Sequence, residues 1–264
     1  MLPLFLIPSL LIAPTNLQAG DRINIAEDDA SHSAYNSGWS GGKNAGLGFG
    51  EWILRSKNGA SGNSHAGFYI ADTSSQTDLD KAAIDNKAFG FFANGVDYET
   101  AVAFRSLREP LQPGDAFSLL MQFSDFVTKF ESDDDRPGMV GFALRTANPS
   151  ESTDEFISSA RMWLAIEQGE MNYQIHDGES STDTGVPIAP TGAAITVLLL
   201  TPDTYQLEIT NLQTGDTTKL PARKLSGTTG SPIESFSLFA IDSERQDAYF
   251  NGFQVSRSDQ SIGR

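Results

Sequence analysis

Cysteine is absent from the 264 residues, so no disulfide braces the fold and neither a catalytic thiol nor a thiolate metal site is available. Basic side chains are scarce, 18 against 34 acidic ones, for a formal charge of −16. Nucleic-acid binding depends on clustered Lys and Arg that displace counterions, so a nucleic-acid partner is not expected. An anionic polysaccharide remains compatible with a local basic groove, because salt screens distant charges within about 10 Å. The acid excess suits calcium, which takes hard oxygen ligands. Helical periodicity is sparse too, and "TDLDKAAIDN" (77–86) offers at most two turns.

The first nineteen residues, "MLPLFLIPSLLIAPTNLQA", carry no charged side chain and are interrupted by Pro8 and Pro14. Short of a membrane span and ending in small residues, they read as a signal peptide that lacks a basic opening segment. The expectation is a signal peptide over 1–19 and a single domain over 20–264. That mature chain has no transmembrane segment and is exported to the periplasm, the cell surface or the medium.

What is abundant is short alternation of apolar and polar residues between Gly, Pro, Asn and Asp. In "AFSLLMQF" (116–123), Phe117, Leu119, Met121 and Phe123 share one face; in "DTYQLEIT" (203–210), Tyr205, Leu207 and Ile209 do. Similar runs lie at 51–56, 67–71, 88–93, 99–105, 138–146, 160–167, 170–176, 194–200, 235–241 and 248–256, with turn signals at 111–115, 136–138, 177–178 and 214–216. Roughly a dozen short strands without a fixed-period repeat predict an all-β, two-sheet antiparallel sandwich of jelly-roll type.

One stretch looks like a motif. "GWSGGKNAGLGFGEW" (38–52) holds six glycines, Lys43, Trp39 and Trp52. A phosphate loop would need glycine where Ser37 stands and a hydroxyl where Asn44 stands. A dinucleotide fingerprint would need glycine at Glu51. No nucleotide is therefore expected. The glycines read as turn and close-packing positions beside two core indoles, with Lys43 in a solvent loop where its removal has almost no effect.

The order "AYNSGWSGGKNAGLGFGEWILRS", "GNSHAGFYIAD", "KAFGFFANG", "AVAFRSLREPLQPGDAFSLLMQF", "GMVGFALRT", "YQIHDGESSTDTGVPI" and "AYFNGFQVS" resembles a group of bacterial exported proteins with a concanavalin A-like lectin/glucanase domain. The likeness runs over nearly the whole mature chain. It implies that fold and an exported setting, and no activity.

Catalytic strings are missing where this fold would carry them. The E-x-D-x-x-E strand of its retaining glucanases is absent, and "ESDDDRPG" (131–138) is a turn-like charge run. No G-x-S-x-G elbow precedes a helix. "YQIH" places Gln174 and His176 on one strand face, similar to part of the active strand of jelly-roll alginate lyases. That likeness implies His176 as base, Tyr249 as acid, and Gln174 with Arg145 or Arg161 neutralising a uronate. The arginine-rich strand of those lyases has no counterpart here. His32 and His65 lack partners at zinc-ligand spacing. Asp133, Asp134, Asp135, Asp242 and Asp247 are candidate calcium ligands, Asp242 and Asp247 above all. No cofactor other than calcium is implied. Of the aromatic residues able to form a sugar platform, Trp163 stands out, because it shares a strand face with Arg161 and Ala165 rather than with Met162, Leu164 and Ile166.

Two functions follow. One is an exported, non-catalytic module for polysaccharide or cell-surface glycan, or for adhesion, with Trp163, Arg161, Gln174 and His176 as ligand-binding residues. The other is a uronate-polymer lyase with His176, Tyr249, Gln174 and Arg161 as its catalytic set. Whether the protein is an enzyme stays open at this point.

Overall fold

The computed structural model describes residues 22–59, 62, 65–95, 98–123, 137–146, 152–153, 156–243 and 246–258. The expected signal peptide and Asp133, Asp134 and Asp135 lie outside them. In chain order the strands are β1 (Arg22–Asp28), β2 (Phe49–Lys57), β3 (His65–Asp72), β4 (Lys87–Asn94), β5 (Thr100–Leu107), β6 (Ala116–Gln122), β7 (Met139–Arg145) and β8 (Ala160–Glu167). There follow β9 (Asn172–Asp177), β10 (Ser180–Pro187), β11 (Ala193–Thr201), β12 (Thr204–Asn211), β13 (Thr217–Lys219), β14 (Arg223–Lys224), β15 (Ser235–Ile241) and β16 (Ala248–Ser258).

They form two antiparallel sheets, as the alternation predicts. The first runs β13-β12-β11-β6-β16-β4-β3, with β1 added to β16 and β14 to β12. The second runs β10-β9-β8-β7-β15-β5-β2. Their inner faces meet in one core, with Phe89, Phe117, Leu119, Leu207 and Phe250 from the first sheet and Trp52, Phe142, Leu164, Ile175 and Phe236 from the second. The register of β16 shifts between Asn251 and Gln254, around Gly252 with its positive φ of 57°. That bulge lets Phe250, Phe253 and Val255 all enter the core.

The segment 77–86 forms turns instead of the expected helical turns. The Gln122 side chain takes the place of helical backbone bonding there: its Oε1 accepts from the amides of Asp80 and Ala82, and its Nε2 donates to the Asp78 carbonyl. Asp85 and Asn86 then turn the chain with φ of 48° and 65°.

An ionic clamp crosses between the sheets at each lateral edge. At one edge Arg105 of β5 donates to Asp28 of β1 at 2.5 Å, and Tyr35 donates to the same carboxylate. At the other, Arg223 of β14 grips Asp177 of β9 through two bonds, 2.6 and 3.0 Å long, and Tyr205 of β12 adds a third at 2.6 Å.

Candidate functional site

The outer face of the second sheet carries the candidate site. Ile175 faces the core, so the pleat turns Asn172, Gln174 and His176 outward on β9; Leu164 and Ile166 do the same for Trp163, Ala165 and Glu167 on β8. Trp163 and His176 are direct cross-strand partners. Their rings are parallel, with centroids 3.4 Å apart and an interplanar angle of 3°. Neighbouring strands lie about 4.8 Å apart, so rings meeting face to face across them stand upright on the sheet. Phe239 meets the indole edge-on from the β15 side, at 6.0 Å and 76°. The indole is thus held between two rings, and the outer face of the imidazole turns toward β10, where the small Ser181 is its partner.

The His176 Nε2 lies 2.6 Å from Glu167 Oε1, and the two side chains remain 23% and 18% exposed. A carboxylate at Nε2 calls for a ring hydrogen on that nitrogen. Hydrogen-bonding groups surround the stack. Gln174 donates to the Asn172 carbonyl at 3.1 Å, and Asn172 donates to Asp183 of β10 at 3.1 Å. The amide of Gly185 and the side chain of Asn172 hold the exposed Asp183 carboxyl below the usual carboxylate range. This border of the sheet therefore joins an aromatic wall to a row of donors and acceptors. Toward the middle of the same face the sheet is covered: Phe156 packs on Phe239 at 4.9 Å, and Val102, Phe104, Ala143 and Ala165 are buried with them.

The sequence-nominated residues separate into two groups. Trp163, Gln174 and His176 come together. Arg161 does not join them: the β7–β8 register shifts beside it, it is 1% exposed, and its guanidinium reaches the Thr228 and Pro202 carbonyls and Asp203 at 2.7 Å. It ties loop ends to β8 and does not offer a charge to a ligand. Arg145 is buried as well, its guanidinium 4.9 Å above the Phe104 ring. Tyr249 belongs to the first sheet. Its neighbour Phe250 enters the core, so Tyr249 points outward beneath the 73–86 segment and donates to Asp78 at 2.8 Å. His176 and Tyr249 thus face away from each other across both sheets, farther than the roughly 10 Å between packed sheets. The expected lyase acid and base are not brought together.

The calcium candidates are also apart from this stack. Asp242 is 2% exposed with φ of 45°, and Asp247 accepts from the Tyr69 hydroxyl. Burial pushes the Asp247 carboxyl up, an effect the Tyr69 hydrogen bond only partly offsets. Among the described residues no three His, Asp or Glu side chains converge as metal ligands.

Both tryptophans of the glycine-rich stretch are core residues, Trp39 4% and Trp52 0% exposed, and their rings meet edge to face at 5.1 Å. Gly46 and Gly48 have φ of 72° and 73°, and a Cβ on either would lie 1.9 and 2.3 Å from the Glu27 and Ile25 carbonyl oxygens of β1. Only glycine admits that approach. Lys43 departs from expectation. Its Nζ donates to the Ala34 and Gly38 carbonyls and the Ser37 hydroxyl, at 3.0, 2.7 and 2.7 Å, and so closes the loop on itself.

Sequence reasoning missed Glu167 as the partner of His176, and β10 as the strand that borders the site. The parity that singled out Trp163 also places Glu167 on its face. The polar "SSTDTGVP" gave no alternating apolar signal from which β10 could be read.

No family model matches the chain, and no curated protein matches it. Among solved structures the chain is similar to a legume lectin-like domain from Entamoeba histolytica, at 12% identity and a TM-score of 0.45, over 74% of this chain and 90% of that one. Lectin II from Ulex europaeus is similar at 11% identity and a TM-score of 0.41, over 78% and 98%. A carbohydrate esterase from a Shiga toxin-encoding bacteriophage is similar at 10% identity and a TM-score of 0.45, over 90% and 100%. The chain is an all-β sandwich of two antiparallel sheets.

Proposed function

We propose that this protein is an exported carbohydrate-binding module whose sugar contacts centre on the Trp163–His176 stack, without a catalytic step. The observation that carries the reading is that stack: an aromatic wall at an accessible sheet border, lined by Asn172, Glu167 and Asp183. A pyranose offers an apolar C–H face and a rim of hydroxyls, and this border offers a ring face and a row of hydrogen-bonding groups. Ser181 leaves the space in which a sugar lies against the imidazole, with the indole behind it and Glu167 holding the imidazole ring in place.

A non-catalytic role is supported by the placement of the acid and base of the lyase reading on opposite outer faces. Arg161, whose charge that reading needs, is committed to Asp203. The test is a glycan array run with the protein and with Trp163→Ala, with and without calcium. Binding to a defined polysaccharide class that is lost in Trp163→Ala is expected. Failure of the unmodified protein to bind any glycan above background overturns the reading, and so does the appearance of unsaturated uronate absorbance on uronate polymers.

A further inference from the structure

The glycine-rich stretch that resembled a phosphate loop forms the wall of a cavity at the other edge of the sandwich. From its position and lining we infer that this cavity is a second ligand site, for a small amphipathic anion such as a medium-length acyl carboxylate. The cavity holds about 290 Å³ and opens between β1, the Leu47–Gly48 turn, the end of β5 and the last part of β16. Its floor is apolar, built from Ile25, Leu107 and Val255.

Three observations point to that ligand. First, two large apolar side chains stand exposed at this edge: Leu47 in the lining, 53% exposed, and Ile23, 51% exposed, two residues from Ile25 on β1. Second, Leu47 is held outward by a backbone that has no freedom to withdraw it. Glu27 and Leu47 exchange both amide bonds, at 3.0 and 2.9 Å, and Gly46 and Gly48 are wedged against β1 at positive φ. A fixed, exposed leucine beside an apolar cavity is the rim of a site for an apolar group.

Third, the charges at the mouth, two arginines against Asp115 and Glu109, are unevenly placed. Arg257 is committed to Asp115 through two bonds, 2.8 and 2.9 Å long, and Glu109 lies 3.3 Å from the same guanidinium. Arg108 is exposed, and its guanidinium meets no hydrogen-bond or ion-pair partner among the described residues. Its backbone is fixed, because its amide donates to the Gly48 carbonyl at 3.0 Å. An apolar floor with one unmatched guanidinium at its mouth selects an apolar chain that ends in an anion, and guanidinium binds carboxylate in bidentate fashion.

The test is calorimetric titration of the protein with octanoate, octanol and octylamine, which share one chain and differ in head charge. Octanoate is expected to fill a single saturable site about tenfold more tightly than either of the others. In Arg108→Gln, octanoate should fall to the affinity of octanol, and Leu47→Asp should abolish binding of all three. Both substitutions are at exposed positions, and unchanged circular dichroism confirms that the fold is intact. The inference is overturned if octanoate shows no saturable binding, if octylamine binds as well as octanoate, or if Arg108→Gln leaves octanoate affinity unchanged.

Discussion

The two lateral edges of the sandwich use the same parts in opposite ways. At the edge of β1, β2 and β5, Trp39 and Trp52 turn inward, and Arg105 pairs with the Asp28 carboxylate with no exposure on either side chain. The Arg105 guanidinium there stacks on Phe49 and Trp52, at 4.8 and 4.7 Å, and donates to Gly50, Asn44 and Ala45 as well. At the edge of β8 to β10, the tryptophan turns outward onto His176, and the clamp between the sheets, Asp177 to Arg223, keeps the arginine 14% exposed. The indoles are enclosed where the chain turns them in and stay partly exposed where the pleat points Trp163 out.

The carboxylates of the two clamps differ accordingly. Burial raises Asp28 above the ordinary carboxylate value of 3.8, and its bonds from Arg105 and Tyr35 offset only part of that. Asp177 also feels burial, but bonds from Arg223, Tyr205 and the Glu179 amide outweigh it and hold the group below 3.8.

The largest effects are expected at the inward edge. Trp52→Ala should cost about 3–5 kcal/mol in a denaturant titration, because it empties an indole-sized volume. Arg105→Met should cost a similar amount, about 3–5 kcal/mol, since it strands the Asp28 charge. Losses below about 1 kcal/mol in both would break the distinction between the edges. Gly46→Ala should follow at on the order of 3 kcal/mol, through its positive φ and the clash with Glu27.

At the outward edge, Arg223→Met should cost about 1–3 kcal/mol, because it removes donors to a shielded carboxylate. The pH dependence sharpens the contrast. A carboxyl depressed on folding contributes stability above its unfolded value and loses it as the pH falls through the folded one. Thermal melts taken from neutral into the acid range should therefore show a loss of stability below about 4, and Asp177→Asn should make that limb shallower. Asp28 carries the opposite sign, so Asp28→Asn should not flatten it. Lys43→Ala is expected to cost about 1–2 kcal/mol, since three oxygen acceptors lose a cationic donor. A change within about 0.5 kcal/mol would show that the loop does not depend on Lys43.

Much of this was legible in the chain. The runs "ARMWLAIE" and "SFSLFAI" match β8 and β15 end to end, because short apolar runs between turn signals mark buried strands, β15 being buried on both faces. The inward Trp52 and the outward Trp163 follow from strand parity, whereas Trp39 lies outside any strand. The strands β1, β10, β13 and β14 were hidden because border strands bury little and gain their order from a neighbour's backbone. The site was partly legible. Trp163, Gln174 and His176 could be grouped from two strand patterns, whereas the role of Arg161 depends on Asp203 and Thr228, far along the chain. The separation of Tyr249 from His176 depends on which sheet each strand joins, and local periodicity carries no information about that.

Trp163 alone among the three tryptophans is expected to report on a ligand, and a fluorescence titration with the glycan class selected on the array checks this. With Trp39 and Trp52 closed in the core, saturating glycan should change the emission of the unmodified protein, and the change should vanish in Trp163→Phe while the fold persists. Stability should fall by only about 1 kcal/mol in that variant, because the indole is half-buried. A glycan-dependent change that survives Trp163→Phe, or one that vanishes only when Trp39 or Trp52 is replaced, would contradict the assignment of the site to this edge.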